Sequence, residues 1–590
     1  MRDSCDRLTL QQGCRIGVVG GGQAGSFFSY FLLEMARDID VDVHLDIYEP
    51  RDFSQPGPTG CNMCGGVVSE SLVQALAAEG IDLGPEVIER AIDSYFLHMD
   101  VGDVRIAPPR MEKRIASVHR GGGPRGVKQT KCGGLDAYLL KLAIVQGANC
   151  IPKRVDAIAF RDGRPWLKAG DREAEYDLLV GAVGVNSSAL KLFEGAGVRY
   201  KSPVVSKTYI CEFRFGRDLI RRELGYSMHV FLLNIPRLEF AALIPKGDYV
   251  TLCLLGHDLD KDLVSRFINS REVRQCLPPN WEPPADFCHC APKIAVTGAV
   301  RPFADRLVFV GDCGTTRLFK DGIGSAYRTA KAAARTIVFH GFSEDRFRRH
   351  YWSVCRKISR DNAVGQLVFA VTRHIQKYRF LRRGLWRMVS DEQRGPGLPP
   401  RVSTVLWDTF TGSAPYTSVL RRTLNPVFVG RFLYELTVGN LAVRAHEGGL
   451  MQSAVLGHWF KDGEIICRQG ELGDCLYVVE KGQVELMHRE GSREFCVRVL
   501  GEGDAWGEDG LLERNHTRSA TARAIGEACV LTIEKNMFLD RMQEDPSFVL
   551  KIMRKMSHRI KELEDALVRT AEPIAAPSTV QTPPAVSGRV

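Results

Sequence analysis

Three short stretches of this chain bring together residue types that can do chemistry. The first, Gly20-Gly21-Gly22-Gln23-Ala24-Gly25, lies between the apolar run 15–19 and a helical run 26–36. In that setting Gly20, Gly22 and Gly25 give a tight turn, close backbone approach to a pyrophosphate, and a helix packed hard on its sheet. The next strand, 41–48, ends in Glu49, the place from which a carboxylate reaches an adenosine ribose. The second stretch, Cys61-Asn62-Met63-Cys64, offers two thiols. It reads as a redox dithiol, as half of a metal site, or as packing. Cys288-His289-Cys290 is spaced too tightly to complete a tetrahedral zinc set, so no metal site is expected. The third stretch is Gly507-Glu508, followed ten residues later by Arg518-Ser519. Gly507 at the start of a short helix presents backbone NH groups to an anion, and Arg518 offers a planar fork for phosphate oxygens. Glu508 repels phosphate and is left for a ribose hydroxyl, so the set suits a small sugar phosphate.

The elements that must hold these residues follow from periodicity. A second apolar strand near 306–310 runs into Gly311-Asp312, and after a loop Asp321-Gly322-Ile323-Gly324-Ser325 opens a helix through 334. Toward the other end, Gly463, Gly470, Gly482 and Gly501 punctuate short alternating runs such as 475–479 and 483–487, the pattern of a small β-roll. From Asp545 onward, Val549, Met553, Met556, Ile560, Leu563 and Leu567 recur at steps of four and three. That spacing fits a dimerising coiled-coil helix or an amphipathic helix lying back on the roll. Charge is uneven: residues 346–450 hold 18 Lys and Arg against 6 Asp and Glu, although the whole chain carries only +9. Arginines mixed with apolar and aromatic residues suit a helix on an anionic membrane surface, or connecting helices whose arginines meet acidic neighbours.

The segment from about Leu456 to Leu567, with Phe460 to Ile466, Gly470, Tyr477 to Val484 and the phosphate cassette, resembles the cyclic nucleotide-binding domain family. The resemblance implies that Glu508 bonds the ribose 2′-hydroxyl while Gly507, Arg518 and Ser519 hold the cyclic phosphate of cAMP or cGMP. The glycine turn paired with Gly311-Asp312 resembles flavoproteins of the aromatic-hydroxylase fold. That implies FAD, held by Gly20, Gly22, Gln23, Ala24, Gly25 and Glu49, with Asp312 on the ribityl chain beside Gly311. Gly322, Ile323 and Gly324 would approach the flavin ring, and the dipole of their helix would stabilise negative charge on reduced flavin. Cys64-Gly65-Gly66-Val67-Val68-Ser69, Leu135 to Leu140, Tyr176 to Ala182 and Ile244-Pro245-Lys246-Gly247 are most similar to geranylgeranyl reductases and FixC-type dehydrogenases. In that family the cysteine of Cys-Gly-Gly lies near the flavin, which makes Cys64 the candidate proton donor. The chain departs from the family in two places. Val183 replaces a carboxylate that helps bind pyridine nucleotide, and Cys132 stands where an arginine grips the flavin phosphates, with Lys131 as its substitute.

The expected fold is therefore an α/β FAD-binding Rossmann-like domain with an inserted antiparallel-sheet substrate domain, a basic helical linker and a C-terminal β-roll. Its boundaries fall at 1–13 for an N-terminal extension, 14–345 for the oxidoreductase, 346–455 for the linker, 456–569 for the roll and 570–590 for a disordered tail rich in proline and small residues. The expected activity is hydride transfer between flavin and a small apolar, isoprenoid- or lipid-like substrate, with electrons from NAD(P)H or a redox protein. A flavin monooxygenase or halogenase, and a non-catalytic redox and nucleotide sensor, are the alternatives. The 17 scattered cysteines and the absence of an apolar leader point to a reducing, cytoplasmic location, with peripheral contact at the inner membrane face as the variant. A homodimer through the C-terminal helix is expected, and nucleic acid is not, because no DNA-reading helix pair follows the roll.

Overall fold

The computed structural model describes residues 8–61, 64–107, 115–127, 133–284, 286–394, 401–437, 457–491, 493–508, 511, 517–535 and scattered positions from 538 to 561. They form two compact units, 1–533 and 534–590. Most of the C-terminal seam lies outside the described residues; Met553 and Ile560, which are described, are more than half exposed.

A six-stranded sheet forms the nucleotide layer. Its order is Phe303–Ala304, Leu307–Phe309, Leu178–Gly181, Arg15–Val19, His44–Tyr48 and Asn149–Ile151. All neighbours are parallel except the first pair. Parallel strands covered on both faces must be apolar nearly throughout, as Ile16, Val18 and Leu178 to Val180 are. Gln23–Asp38 and Gly322–His340 pack side by side, with Phe27 and Phe31 meeting Tyr327 edge-on. An antiparallel meander, Ala157–Arg161, Arg164–Ala169 and Arg172–Glu175, buries Ile158 and Leu167 with Tyr48, Leu179 and Phe309 in a separate core.

The second large sheet runs Cys288–Cys290, Val205–Arg214, Tyr249–Gly256, Leu238–Lys246, Ser227–Phe231, Ser94–Met99 and Gly102–Ile106. It is antiparallel at every junction but one: Ser227–Phe231 lies parallel to Ser94–Met99. A parallel pair needs a long crossover, and the chain between these strands returns through the nucleotide layer before coming back.

The basic segment folds into the helices Trp352–Lys377, Arg379–Arg394, Arg401–Thr411, Tyr416–Thr423 and Pro426–Thr437. Leu385, Met388, Val389, Val402, Trp407 and Phe410 share a core with Leu97, Val104, Val230 and Ile244 of the large sheet. Its arginines meet acidic neighbours: Arg382 grips Asp100 at 2.6 and 2.9 Å, and Arg373 meets Glu239 at 2.8 Å. No helix among the described residues is long and apolar enough to cross a membrane.

The C-terminal sheet pairs His458–Phe460 with Thr521–Glu534, then Cys475–Glu490, then Arg493–Leu500. The two runs 475–479 and 483–487 are one continuous strand, where the glycine pattern predicts two. Gly482, at φ 79°, bends that strand instead of ending it, and a Cβ there would overlap the Glu527 carbonyl.

Trp407 is 1% exposed, and its Nε1 donates to Glu70 Oε2 at 2.8 Å. Trp407→Ala should cost about 3–5 kcal/mol and lower the Tm of the transition that unfolds the two large sheets. A helical segment that merely tethered the roll would leave that transition unmoved.

Candidate functional site

The glycine turn is built where backbones nearly touch. Gly20 has φ 105°, and a Cβ on it would lie 2.5 Å from the Ala182 carbonyl; a Cβ on Gly25 would overlap the Gly20 carbonyl. The helix that follows begins after Gly22, whose side of the turn supplies no side-chain cap, so its first NH groups are available to an anion. Gln23 is buried with its Nε2 unpartnered among the described groups, a donor that suits a bound polar ligand. Glu49, 4% exposed, accepts from the Gly21 backbone NH at 3.0 Å and from the Arg51 NH at 3.1 Å. Its carboxylate is thereby fixed at the end of His44–Tyr48, where the sequence reading puts it.

Gly311, at φ 69°, brings the Gly-Asp element against this turn; a Cβ on it would lie 2.6 Å from that of Ala24. Burial raises the pKa of Asp312, with Thr316 and Arg120 opposing. Asp321, held left-handed at φ 53°, precedes the helix that starts at Gly322. Its carboxylate accepts from Ser69 at 3.0 Å and pairs with Arg328 at 2.7 Å, and a Cβ on Gly324 would overlap it. Gly322 and Ile323 form the first turn of that helix. These features, an uncapped helix start, an orphaned buried amide and glycine cradles, fit a dinucleotide such as FAD. Lys131 and Cys132 lie outside the described residues.

A cleft is lined by Cys61, Cys64, Arg120, Glu212, Lys246 and Cys290, with His119, Cys288 and His289 also on its wall. Cys64 Sγ accepts from the Gly66 NH at 3.4 Å. Arg120 forms a two-pronged pair with fully buried Asp136 at 3.1 and 3.0 Å. Burial opposes the Arg120 charge, but Asp136, Cys64 and Asp312 outweigh it and raise its pKa. Lys246, 1% exposed, stands 3.6 Å from Glu212, which also accepts from Thr251 at 2.7 Å. Burial and Lys246 push His119 down to about 3, so its imidazole is neutral. Burial pushes the Cys290 thiol up to about 12, with Cys61 and Cys288 adding to it.

Sequence spacing therefore finds Cys64 and misses its companions. Arg120 and Glu212 stand in no recognisable pattern, and Lys246 sits inside the Ile244 to Gly247 run without marking itself as a cleft residue. The cysteines near 61 and 290 do meet, but as lining of this cleft.

In the roll, Arg518 is 4% exposed. Its guanidinium donates to the Gly507 carbonyl at 3.2 Å and to Cys475 Sγ at 3.2 Å, and lies 4.9 Å from the Tyr477 ring, which stacks on Trp506. None of these described partners carries a full negative charge at neutral pH. A buried guanidinium so placed fits an anion. Glu508 follows Gly507 at φ 94°, and the Ser519 carbonyl accepts from His488 at 3.0 Å.

Residues 458–545 match the family model of the cyclic nucleotide-binding domain. The cAMP-activated global transcriptional regulator CRP of Salmonella typhimurium (strain LT2) is 30% identical over 105 residues, 18% of this chain and 50% of that protein. The chain thus spans about half the length of the curated relatives it matches. Among solved structures, a flavoprotein/dehydrogenase from Cytophaga hutchinsonii aligns with TM-score 0.48 and 12% identity over 72% of this chain and 99% of its own. The halogenase PltM, in complex with phloroglucinol and FAD, aligns with TM-score 0.45 and 11% identity over 72% and 96%. The C-terminal sheet is a cyclic nucleotide-binding domain in fold, and the larger part of the chain is a Rossmann-like α/β layer joined to a mixed sheet.

One half-buried base gives the protein a pH signature. Lys320 lies 3.0 Å from the centre of the Phe240 ring, and burial pushes its pKa from 10.5 down to about 7, with Cys253 opposing. Its folded pKa is below the free value, so between about pH 7 and 10 the unfolded chain holds the extra proton and stability rises with pH. Lys320→Met should raise Tm most at pH 6, and the gain should shrink by pH 10. An equal shift at both pH values would overturn the buried-ammonium assignment.

Proposed function

We propose that residues 14–345 are an FAD-dependent oxidoreductase whose turnover or placement is governed by a cyclic nucleotide, cAMP or cGMP, bound in the C-terminal roll. The observation that carries this is the convergence of the Gly20–Gly25 turn, Asp312 and the Cys64 cleft through Arg120. FAD, when bound, supplies hydride transfer. Gly20, Gly22 and Gly25 let the backbone approach a pyrophosphate, Glu49 takes a ribose hydroxyl and Asp312 the ribityl chain. Arg120 holds positive charge between Asp312 and Cys64, which favours negative charge developing nearby. Cys64 Sγ lines the cleft and is the group assigned to pass a proton to a substrate carbon.

Reduction of an apolar, isoprenoid- or lipid-like substrate is the finer reading. It is supported by the Cys64-Gly65-Gly66 element and the apolar packing next to it: a Cβ on Gly65 would lie 3.5 Å from Ile244 Cδ1, and Ile244 belongs to the core shared by the large sheet and the helical segment. Water excluded by such packing would let hydride and proton reach an alkene together. Electrons would come from NAD(P)H or a redox protein, and Val183 weighs toward the latter. The proposal includes a cytoplasmic location, peripheral contact with the inner membrane face to receive such a substrate, and pairing of two chains through the C-terminal helix.

Photoreducing the purified protein without oxygen and adding a prenyl diphosphate should reoxidise the flavin. Cys64→Ser should slow that step by about a hundredfold while flavin content stays unchanged. Reduced flavin that stays inert supports a non-catalytic sensor, and oxygen-dependent NADPH consumption with an aromatic substrate supports a monooxygenase or halogenase.

The roll has its own test. Binding of cAMP or cGMP should raise Tm, by the equivalent of about 2.7 kcal/mol at 100 times Kd. Arg518→Ala should abolish that shift and leave flavin content intact. A shift that survives the substitution sinks the phosphate assignment.

A further inference from the structure

On the other face of the large sheet, away from the cleft, three side chains meet that are far apart in the sequence. His98 on Ser94–Met99 and His229 on Ser227–Phe231 lie on neighbouring strands, and Cys276 follows the short helix Arg271–Arg274 that covers them. All three are buried, at 4, 5 and 5% exposure. His98 Nε2 is 2.8 Å from His229 Nδ1, and Cys276 Sγ is 3.5 Å from the first and 3.6 Å from the second. Strand alternation puts His98 and His229 on the side of Phe96 and Phe231, whereas Leu97 and Val230 face the core shared with the helical segment.

The outer nitrogens are already committed. His98 Nδ1 lies 3.0 Å from the Asp103 carboxylate, and His229 Nε2 lies 3.1 Å from the Leu224 carbonyl. A carboxylate and a carbonyl only accept, so each neutral imidazole spends its one N–H outward. The two nitrogens that face each other at 2.8 Å are then both lone pairs, and the single Cys276 S–H can satisfy only one of them. A cation between them would take up both lone pairs and the sulfur at once, and the three donor atoms all lie within 4.8 Å of one another.

We propose that His98, His229 and Cys276 form a metal site for a zinc-like divalent ion, distinct from the flavin cleft. Two imidazoles and one thiolate are the donors such an ion takes, and both histidines have the outward hydrogen bond that orients a ligating imidazole. Tetrahedral zinc, about 2.05 Å from nitrogen and 2.3 Å from sulfur, sets nitrogen and sulfur about 3.6 Å apart and the two nitrogens about 3.3 Å apart. The nitrogen–sulfur spacings already match, and the imidazoles part by roughly 0.5 Å on loading to meet the same geometry. Binding converts the Cys276 thiol to a thiolate and releases its proton to solvent. A fourth position is left for water or the Glu272 carbonyl, whose oxygen is 3.5 Å from Cys276 Sγ. The ion would fasten the 271–277 segment to two strands of the large sheet.

Full-length protein stripped with a chelator and titrated with Co²⁺ alone should bind one ion per chain. The visible d–d bands of a tetrahedral thiolate site should appear to the red of any flavin absorption, and equimolar Zn²⁺ should remove them. Cys276→Ser and His229→Gln should each abolish the bands, whereas the double variant Cys288→Ser/Cys290→Ser should keep them. Absence of bound ion in the wild-type chain overturns the site. Bands that survive Cys276→Ser, or that vanish with Cys288 and Cys290, place the ion at the cleft thiols and overturn it equally.

Discussion

The structure depends on how closely three stretches of backbone approach one another at the end of the parallel sheet. Gly20 rests against the Ala182 carbonyl, Gly25 against Gly20, and Gly311 against Ala24. No side chain larger than hydrogen fits at the glycines, and Gly20 and Gly311 also have φ angles that other residues avoid. This contact brings the ends of Arg15–Val19, Leu178–Gly181 and Leu307–Phe309 to one ridge, so that Glu49 and Asp312 project beside the same helix start. The fused helices behind them are fixed by Phe27, Phe31 and Tyr327, and the core of the layer closes on that basis.

Charge is arranged on this scaffold with little solvent to dilute it. In the Arg120–Asp136 pair the carboxylate is fully buried and the guanidinium partly so, and such a pair is at best a modest source of stability once desolvation is counted. Its worth lies in position. Asp136 takes both ends of one edge of the guanidinium and fixes its direction, while Cys64 and Asp312 lie close enough to raise its pKa. Lys246 and Glu212 make a second such pair on the facing sheet. Both pairs therefore bring fixed charge to the wall of the cleft that Cys64 shares.

Much of this was legible in the sequence, for reasons that differ by element. The glycine turn, Glu49 and the Gly-Asp element are local in sequence and sterically exacting, so spacing alone locates them, and the roll's cassette is equally compact. The helices between 346 and 437 show where the method stops. Arginines interleaved with Leu, Trp and Phe report an apolar face but not what covers it, and here the cover is Leu97, Val104 and Ile244 of the chain's own sheet. Asp100 and Glu239, which receive Arg382 and Arg373, are more than a hundred residues away. Arg120 gains its character from charges distant in sequence and Lys320 from desolvation, and spacing encodes neither. The same holds for His98, His229 and Cys276, whose sequence separations resemble no metal motif because strand pairing, not a loop, brings them together.

The roll touches the rest of its unit through groups that can answer to charge. Burial raises Glu480 to about 7, and Asp82 and Glu502 add to it. Asp82 belongs to the loop whose backbone carbonyl accepts from Tyr138 on the helix Gly134–Val145 at 2.6 Å, the helix that also carries Asp136. Protonated, Glu480 can lie beside Asp82 without repulsion; ionised above neutrality it opposes two carboxylates, so this contact weakens as pH rises. Arg518 holds the Gly507 carbonyl, and Gly507 directly follows Trp506, which pairs with Tyr477 on the strand that also carries Glu480. The phosphate site and Glu480 thus share one strand. If nucleotide changes the affinity for flavin, linkage requires flavin to change nucleotide affinity by the same factor, a coupling that is typically about 1–3 kcal/mol.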